Sequence, residues 1–218
     1  MLAPAASSAP QAPPDGLPPL LLPPGLPLSP EQFALVCEAN PDAVLELAAD
    51  GRLITLTPTG GDTGARNHSL SLSLGLAART CALPLKLFDS STGFRLSDGS
   101  VLSPDAAAVQ LERWQALSPE QRRGFPPLCP DLVIELVSPS DEGPRTAAAL
   151  RRKMNAYMAN GARLAWLLFP EQRAVEIWQA SADQETPAVP RRMETATVLD
   201  GGDLLPGLVL DLEEIWQA

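Results

Sequence analysis

The sequence predicts a mixed α/β domain, in which helices pack on a central sheet, and three observations predict this fold class. The run 131–137 consists mainly of aliphatic residues and is typical of a buried strand. The stretch 145–160 has a helical apolar period and is followed by Gly161, which predicts a helix. Two further apolar runs, 163–169 and 174–179, predict strands joined by a short turn. This order favours a mixed central sheet flanked by helices.

The bulk composition is that of one globular domain. At 218 residues the chain can build a core large enough to hold a cleft, and 45% of its residues are hydrophobic. A mean hydropathy of +0.01 argues against a membrane protein. Cys37, Cys81 and Cys129 lack the spacing of a metal site, so free thiols are favoured over a disulfide or a zinc site. We therefore expect a cytoplasmic protein without a membrane partner.

The formal net charge of −10 argues against broad electrostatic attachment to nucleic acid. It leaves room for a local basic patch. The basic residues that cluster in sequence are Arg122 and Arg123, Arg145, Arg151, Arg152 and Lys153, and Arg191 and Arg192. Such groups are also typical of solvated helix faces and loop ends, and the sequence leaves both interpretations open.

The first part of the chain differs from the rest in composition. Residues 1–30 contain ten of the 24 prolines and a single charged residue. This predicts an extended or disordered arm over residues 1–28. A serine, a proline and an acidic residue at 29–31 predict the start of a helix that ends near Ala39. The folded domain is therefore expected to span 29–218.

Turn residues and alternating apolar positions divide the remaining chain into short elements. The predicted elements are a hairpin of strands 44–47 and 53–56, a glycine-rich loop 58–64, a helix 65–81, strands 84–89, 92–96 and 101–109, a helical turn from Ser118, short strands near 194–199 and 208–210, and a last helical turn at 212–216. No internal repeat is visible in the sequence.

Glu135 is the most informative residue, because a carboxylate is unexpected inside a buried strand. Side chains alternate along a strand, so Glu135 shares a face with Val133 and Val137. A lone ionised carboxylate in such a place costs several kcal/mol, unless it is protonated, paired or bound to a cation. The group that compensates Glu135 should therefore reveal the function.

Asp105 is the best-placed second carboxylate. It follows a proline and precedes small residues, a context that is by itself more typical of a turn or cap. Two carboxylates on neighbouring strands form a hard oxygen site for Mg²⁺ or Mn²⁺, to which the backbone carbonyl of Leu136 can add a ligand. Asp131 is roughly 13 Å from Glu135 along the strand, too distant to share one ion. A buried Glu–Lys pair without a metal is the alternative.

Lys153 lies within or beside the apolar stripe of the predicted helix 145–160. A lysine in such a place usually extends into solvent. Because this helix directly follows the Glu135 strand and packs back against it, the ammonium can instead reach the carboxylates. There it can orient or deprotonate an attacking water, or stabilise charge on a phosphate oxygen.

Four further residues are weaker candidates. Glu46, between apolar neighbours in a predicted strand, is either an ordinary strand residue or a group that orders the hydration shell of a metal. His68 is the only histidine and a candidate substrate contact, although capping or solvent exposure is more common near a helix start. Arg151 and Arg152 are candidate phosphate contacts, with a solvated helix face as the more common role. A single histidine argues against histidine-based triads and histidine-rich metal sites.

In their order, Asp105, Glu135 and Lys153 resemble the conserved positions of the PD-(D/E)XK nuclease superfamily. The resemblance is closer to its Uma-type restriction endonuclease family, and it covers about residues 29–218. The segments that carry it are Pro58–Gly64, Phe88–Phe94, Leu102–Ala106, Pro127–Leu136 with Ser138–Ser140, and Lys153–Tyr157 with Asn160–Trp166. Each segment alone is unspecific, whereas their order and spacing together are specific.

The resemblance implies a restriction-endonuclease-like fold and metal-dependent hydrolysis of DNA phosphodiester bonds. Asp105, with the proline before it, matches the PD element, and Glu135 matches the second acidic position. Val137 stands where the superfamily has its lysine, and Lys153 matches the lysine that the Uma-type family commonly has on the next helix. Phe169 stands where relatives often have aspartate, at a position that we expect to be structural.

The resemblance also implies DNA as the partner and a homodimer, because cutting both strands of a duplex usually requires two active sites. The rival interpretation is a catalytically inactive nuclease-like domain that acts as a binding or assembly module. The acidic composition and the missing strand lysine support this rival. A third interpretation is a purely structural ion pair between Glu135 and Lys153.

Overall fold

The structure is a computed structural model that describes residues 26–81, 83–139, 143–180 and 189–218. Most of the arm predicted for residues 1–28 lies outside these ranges. The helices are α1 (Pro30–Ala39), α2 (Gly61–Thr80), α3 (Leu111–Gln115), α4 (Pro119–Arg123), α5 (Pro144–Ala159) and α6 (Glu213–Gln217). The strands are β1 (Val44–Leu47), β2 (Leu53–Leu56), β3 (Leu85–Asp89), β4 (Phe94–Arg95), β5 (Val101–Leu102), β6 (Ala106–Gln110), β7 (Leu132–Leu136), β8 (Leu164–Phe169), β9 (Ala174–Gln179), β10 (Arg191–Met193), β11 (Val198–Asp200) and β12 (Val209–Asp211).

Six strands form the central sheet, in the spatial order β10-β9-β8-β7-β6-β3. β7 and β8 run parallel, and the other neighbouring pairs are antiparallel. α5 connects β7 to β8, since parallel neighbours need a crossover connection. Both strands are buried along their whole length, which explains why they are almost continuously apolar. The predicted mixed sheet flanked by helices is therefore confirmed.

Alternation along the central strands separates two hydrophobic cores. One face of the sheet, which includes Ile134 and Leu136, packs against α2, α6 and the β11–β12 pair. The opposite face, which includes Val133 and Val137, packs against α5 and against side chains of β4 and β5. Glu135 alternates with the first set of residues, so it lies on the α5 face.

A second sheet contains four short antiparallel strands in the order β2-β1-β5-β4. Its strands β4 and β5 contribute Phe94 and Leu102 to the core beside α5. Leu47 of β1 packs instead with Phe33 of α1. The chain passes from β5 of this sheet to β6 of the central sheet through residues 103–105. Groups at this junction can therefore meet groups from both sheets.

Two predicted boundaries are wrong, and both affect the site. α2 starts at Gly61, so the second half of the predicted loop 58–64 is the first turn of a helix. The predicted strand 101–109 is two strands, β5 and β6, which belong to different sheets. Pro104 lies between them, and a residue without an N–H cannot donate a ladder hydrogen bond.

The other predicted elements form close to their expected positions. α1 has the expected capping box, in which Ser29 and Gln32 each accept from the backbone of the other. The hairpin β1–β2 is confirmed with Val44 opposite Leu56. α3 and β10 were not predicted, because both are short and α3 has no buried residue that would create an apolar period.

The cysteines agree with the expectation of free thiols, since none of Cys37, Cys81 and Cys129 forms a disulfide. Burial raises the pKa of the Cys129 thiol to about 12, so it is not a nucleophile at neutral pH. Within the ranges that the structure describes, no helix is both long enough and apolar enough to cross a membrane.

Candidate active site

Lys153 of α5 is the partner of the buried Glu135. Its Nζ lies 2.8 Å from Oε1 of Glu135 and 2.8 Å from Oε1 of Glu46. It also donates to the backbone carbonyl of Ser103 at 2.9 Å. The three N–H groups of the ammonium therefore each have an acceptor. Only 17% of the Lys153 side chain is exposed, so it does not extend into solvent.

Glu46 reaches the site from the second sheet. Its side chain is buried, and Oε1 accepts from the N–H of Ser103 at 2.8 Å in addition to the Lys153 ammonium. Ser103 thus donates to Glu46 and accepts from Lys153. These contacts connect the junction between the sheets to α5. Glu46, which we expected to order a metal's hydration shell, is in this structure a direct partner of Lys153.

Asp105 directly precedes β6. The sheet register pairs Ala106 with Ile134, so continuing this register by one residue places Asp105 opposite Glu135. Oδ2 of Asp105 accepts from the N–H of Leu136 at 2.7 Å. Because the N–H and C=O of one strand residue point to the same side of the strand, the Leu136 carbonyl also points towards β6. The three predicted metal ligands therefore lie around the same end of β7.

Burial and neighbouring negative charges raise the pKa values of Glu135 and Asp105 above their ordinary values. Burial raises the pKa of Glu135 to about 8, and the carboxylates of Asp105 and Glu46 add to this rise, whereas Lys153 opposes it. Burial also raises the pKa of Asp105, against the effects of the Leu136 N–H and Lys153. Burial alone would lower the pKa of Lys153, but Glu135 and Glu46 outweigh it and raise this pKa above its ordinary value. The lysine is therefore a permanent cation at neutral pH.

Two carboxylates, Glu46 and Glu135, contact the one ammonium, and Asp105 adds a third negative charge nearby. Two negative charges are therefore unbalanced when all the groups are ionised. The oxygens of Asp105, Glu135 and the Leu136 carbonyl are the hard ligands that Mg²⁺ and Mn²⁺ prefer, so the donor set fits such a cation. In the described part of the chain, no three His, Cys, Asp or Glu side chains are grouped as a metal site. A cation here would therefore depend on backbone, water and substrate oxygens as well, which is usual for Mg²⁺.

The candidate substrate contacts lie outside the carboxylate–lysine cluster. Arg151 donates to both carboxylate oxygens of Glu176 on β9, at 2.7 and 2.6 Å, and a phosphate would have to compete with this pair. Arg152 on α5 and His68 on α2 are exposed to solvent. Asp131, which is too distant from Glu135 by strand geometry, pairs instead with an arginine of α3 at 2.8 Å.

Sequence reasoning missed three residues that contact the site. Ser103 takes part through its backbone, which no side-chain pattern reveals. Tyr157 donates to Oε1 of Glu135 over a long 3.4 Å, and its position four residues after Lys153 was a signal that could have found it. The side chain of Asn67 on α2 adjoins Asp105 and lowers the pKa of its carboxyl, a contact that depends on how α2 packs against the sheet.

The fold and the site together define a restriction-endonuclease-like α/β domain, in which carboxylates from two adjacent strands and a lysine from the crossover helix meet at the junction of two sheets. A model of the family Uma2, which carries the description "Putative restriction endonuclease", matches residues 30–213. The chain therefore belongs to the Uma2 family.

A solved structure has the same fold. It is the crystal structure of a "putative nuclease belonging to DUF820" from Anabaena variabilis ATCC 29413, with a TM-score of 0.66 and 15% sequence identity. The match covers 88% of this chain and 98% of that chain, which confirms the predicted fold class. No curated protein matches the chain.

Proposed function

We propose that the protein is a Mg²⁺- or Mn²⁺-dependent endonuclease that hydrolyses DNA phosphodiester bonds. The observation that carries this proposal is that Glu46 and Glu135 contact one buried lysine beside Asp105, so that the ionised carboxylates carry more charge than the lysine balances. Membership of a family with the description "Putative restriction endonuclease" supports the same class of reaction.

In the proposed site, Asp105, Glu135 and the backbone carbonyl of Leu136 hold the cation. The two unbalanced negative charges favour a divalent cation over a monovalent one. When bound, such a cation polarises the scissile phosphate and lowers the pKa of the attacking water. The 2.7 Å hydrogen bond from the Leu136 N–H orients the Asp105 carboxylate before the cation binds. The carboxylate therefore loses little conformational freedom on binding.

Lys153 contributes positive charge in this proposal and does not accept a proton. Its pKa lies above the ordinary value because Glu135 and Glu46 adjoin it, so a neutral amine is rare at neutral pH. Of the roles that the sequence left open, orientation of the attacking water and stabilisation of charge on the phosphate are therefore supported. Glu46 and Ser103 hold the ammonium in place for either role.

DNA contacts in the proposed enzyme come from basic groups near the site. Arg152 directly precedes Lys153 and is exposed, and His68 is exposed on α2. Arg151 can contact a phosphate only if it gives up one of its two hydrogen bonds to Glu176. With a net charge of −10, binding to DNA must depend on such local contacts and should weaken steeply with salt. A homodimer would supply one site for each strand of a duplex.

Plasmid cleavage by variants of the two lysines tests the proposal. The chain contains only Lys153 and Lys86, and Lys86 is exposed on β3, so Lys86→Ala is a matched control for Lys153→Ala. We expect wild type and Lys86→Ala to cut plasmid DNA with Mg²⁺ or Mn²⁺ and not with EDTA. Lys153→Ala should lose cleavage and keep its circular dichroism spectrum, and Lys153→Met serves if the alanine variant does not fold.

Two outcomes of this experiment would contradict the proposal in different ways. Undiminished cleavage by the folded Lys153 variants would refute the role of the lysine. Failure of the wild type to cut both plasmid and single-stranded DNA with either cation would refute the endonuclease activity itself.

A catalytically inactive nuclease-like domain, acting as a binding or assembly module, is the second candidate. The observation that favours it is the complete set of acceptors around Lys153, which already places a cation between Glu46 and Glu135. Calorimetric titration with Mn²⁺ separates the two candidates. Saturable binding that is lost in Asp105→Asn supports the nuclease, whereas absence of binding favours the module.

A further inference from the structure

We propose that Asn67 is a positioning residue of the cation site: its amide nitrogen holds the Asp105 carboxylate, and its amide oxygen is a further oxygen donor towards the bound divalent cation. This inference rests on the proposed function. It assigns a role to a residue of α2, which lies on the opposite face of the central sheet from Lys153.

The first observation is that the side chain of Asn67 lies close enough to the Asp105 carboxyl to lower its pKa. An ionised carboxylate can only accept, so the amide nitrogen of Asn67 is the atom that can donate to it. The N–H of Leu136 donates to Oδ2 of Asp105 at 2.7 Å from β7. Asp105 therefore has one donor on β7 and a candidate second donor on α2.

The second observation is that Oδ1 of Asn67 is buried and has no hydrogen-bond partner within the described residues. Nearly all buried polar atoms in native proteins have a partner, so this oxygen needs an explanation. It belongs to the same small planar amide group that adjoins Asp105, so it lies close to that carboxyl. A divalent cation bound by Asp105 would give this oxygen a partner.

The chemistry of the atom distinguishes it from the other buried atoms without a hydrogen bond. In the described ranges those atoms are nitrogens of Arg66 and Trp166, which are donors. Arg66 is also paired with Glu171 at 2.7 Å, and Trp166 lies in the apolar core. Asn67 alone among them presents an acceptor, and a neutral oxygen is a ligand that Mg²⁺ and Mn²⁺ accept.

Calorimetric titration of the full chain with Mn²⁺ tests the inference, with Asn67→Ala compared to Ser71→Ala. Ser71 lies one turn further along the same helix and is exposed, so its variant is a matched control. We expect Asn67→Ala to bind Mn²⁺ about 10-fold more weakly or worse, which is the usual loss when a group that orients metal ligands is removed. Ser71→Ala should bind like the wild type.

Asn67→Asp provides a second readout that a merely structural asparagine would not give. The substitution keeps the shape but places a carboxylate beside Asp105 and removes the donor. We expect a lower melting temperature without metal, and a larger upward shift on addition of Mn²⁺ than in the wild type, because the new carboxylate is a stronger ligand. This variant also keeps the test decisive if Asn67→Ala does not fold.

The outcomes separate this inference from the proposed function. Normal Mn²⁺ affinity in folded Asn67→Ala, or a destabilised Asn67→Asp that Mn²⁺ does not rescue, would overturn the role of Asn67 alone. Absence of Mn²⁺ binding by the wild type would overturn both proposals, because no cation would then be present for Asn67 to serve.

Discussion

Two buried glutamates face α5 from the central sheet, and they differ in how far neighbouring cations balance their charge. Glu135 on β7 and Glu176 on β9 lie in one row across the sheet, each paired in register with Leu167 of β8. They are 3% and 5% exposed, respectively. Lys153 and Arg151, two residues apart on α5, are their partners.

At the Glu176 site the cations balance the carboxylates, since two arginines surround Glu176 and Arg192 also pairs with Glu194 at 2.7 Å. Arg151 binds Glu176 through two nitrogens, and Arg192 approaches the same carboxylate at 3.3 Å. Both guanidinium groups lie over the ring of Phe169, at 5.7 and 4.8 Å from its centroid. Phe169 therefore supports an ion-pair cluster, which agrees with the structural role expected for this position.

At the Glu135 site the carboxylates outnumber the cations, since Glu46, Asp105 and Glu135 lie around a single ammonium. Bidentate pairing and stacking compensate Glu176 fully, and such a cluster needs no further ligand. Glu135 is compensated only in part, and burial consequently raises its pKa to about 8. A buried carboxylate whose charge is only partly balanced by neighbouring cations is typical of a site that binds a further cation or a proton. The comparison thus distinguishes a balanced ion pair from the pair that we propose to be functional, on the same helix.

The largest expected difference between the two glutamates is in metal binding. Glu135→Gln should abolish saturable Mn²⁺ binding, because an amide keeps the shape and loses the charge that holds the cation. Glu176→Gln should bind Mn²⁺ like the wild type, since Arg151 and Arg192 already occupy that carboxylate. Calorimetry on both variants checks this contrast, and equal effects of the two substitutions would contradict it.

Without metal, Glu176→Gln should lower the free energy of unfolding more than Glu135→Gln does, the reverse of their order in metal binding. Glu176→Gln removes the charge that two arginines share, and we expect a loss of about 1–3 kcal/mol. The loss should fall at the lower end because the arginine side chains are 41% and 32% exposed and can turn to water. Glu135→Gln should change the free energy of unfolding by less than about 1 kcal/mol, because the native carboxyl is largely protonated near neutral pH. Urea denaturation with EDTA measures both values, and a larger loss in Glu135→Gln would break the comparison.

The raised pKa of Glu135 predicts how pH acts on the metal-free protein. The folded state keeps this proton up to about pH 8, whereas the unfolded chain releases it near its ordinary pKa of about 4.3. The folded state therefore binds more protons in this window, and its stability falls as pH rises. The contribution is complete below about pH 4.3 and is lost above about pH 8, and it should be absent in Glu135→Gln.

Metal binding should show the reverse pH dependence. Protons must leave Glu135 and Asp105 before a cation can bind, so Mn²⁺ affinity should rise over the same window and level off above about pH 8. Titrations in buffers of different ionisation enthalpy measure the released protons directly. About pH 6 and about pH 8 both lie on the predicted rising part of the curve. Equal Mn²⁺ affinity at these two pH values would show that these carboxyl groups are not the ligands.

The smallest predicted effect concerns the exposed side of α5. Arg152→Ala should change stability by less than about 0.5 kcal/mol, as is usual for an exposed side chain. If Arg152 contacts one phosphate, the slope of log affinity for DNA against log salt should become shallower by about 0.9. Arg123→Ala is the control, because Arg123 is exposed on α4 and pairs with Glu120 at the surface. Equal slopes for the two variants would remove Arg152 from the DNA contacts.

Much of the site could be predicted because its main residues carry local anomalies. Glu135 interrupts an apolar strand, and Lys153 interrupts the apolar stripe of the following helix. Strand–crossover–strand geometry then brings the two together. Asp105 was found by elimination, since Asp131 is too far along the strand to share a cation with Glu135. Each of these arguments uses only spacing along one element or its neighbour.

Other parts of the site were beyond such arguments because they depend on packing between elements distant in sequence. The contact of Asn67 with Asp105 exists only because α2 covers one face of the sheet. The direct bond of Glu46 to Lys153 exists only because the second sheet meets the first at Ser103. Glu46 stands out as a charge between apolar neighbours, but those neighbours do not reveal its partner, and Asn67 does not stand out from its neighbours.

The sequence by itself determined the fold class and most helices and strands, and it identified the lysine and two carboxylates of the candidate site, because periodicity, capping and burial depend on neighbouring residues. The tertiary structure alone decided the charge balance around those residues. Whether a buried carboxylate has too few cations, as Glu135 does, or a full complement, as Glu176 does, is a sum over side chains from several elements, since electrostatic energy depends on distance in space and not on separation along the chain.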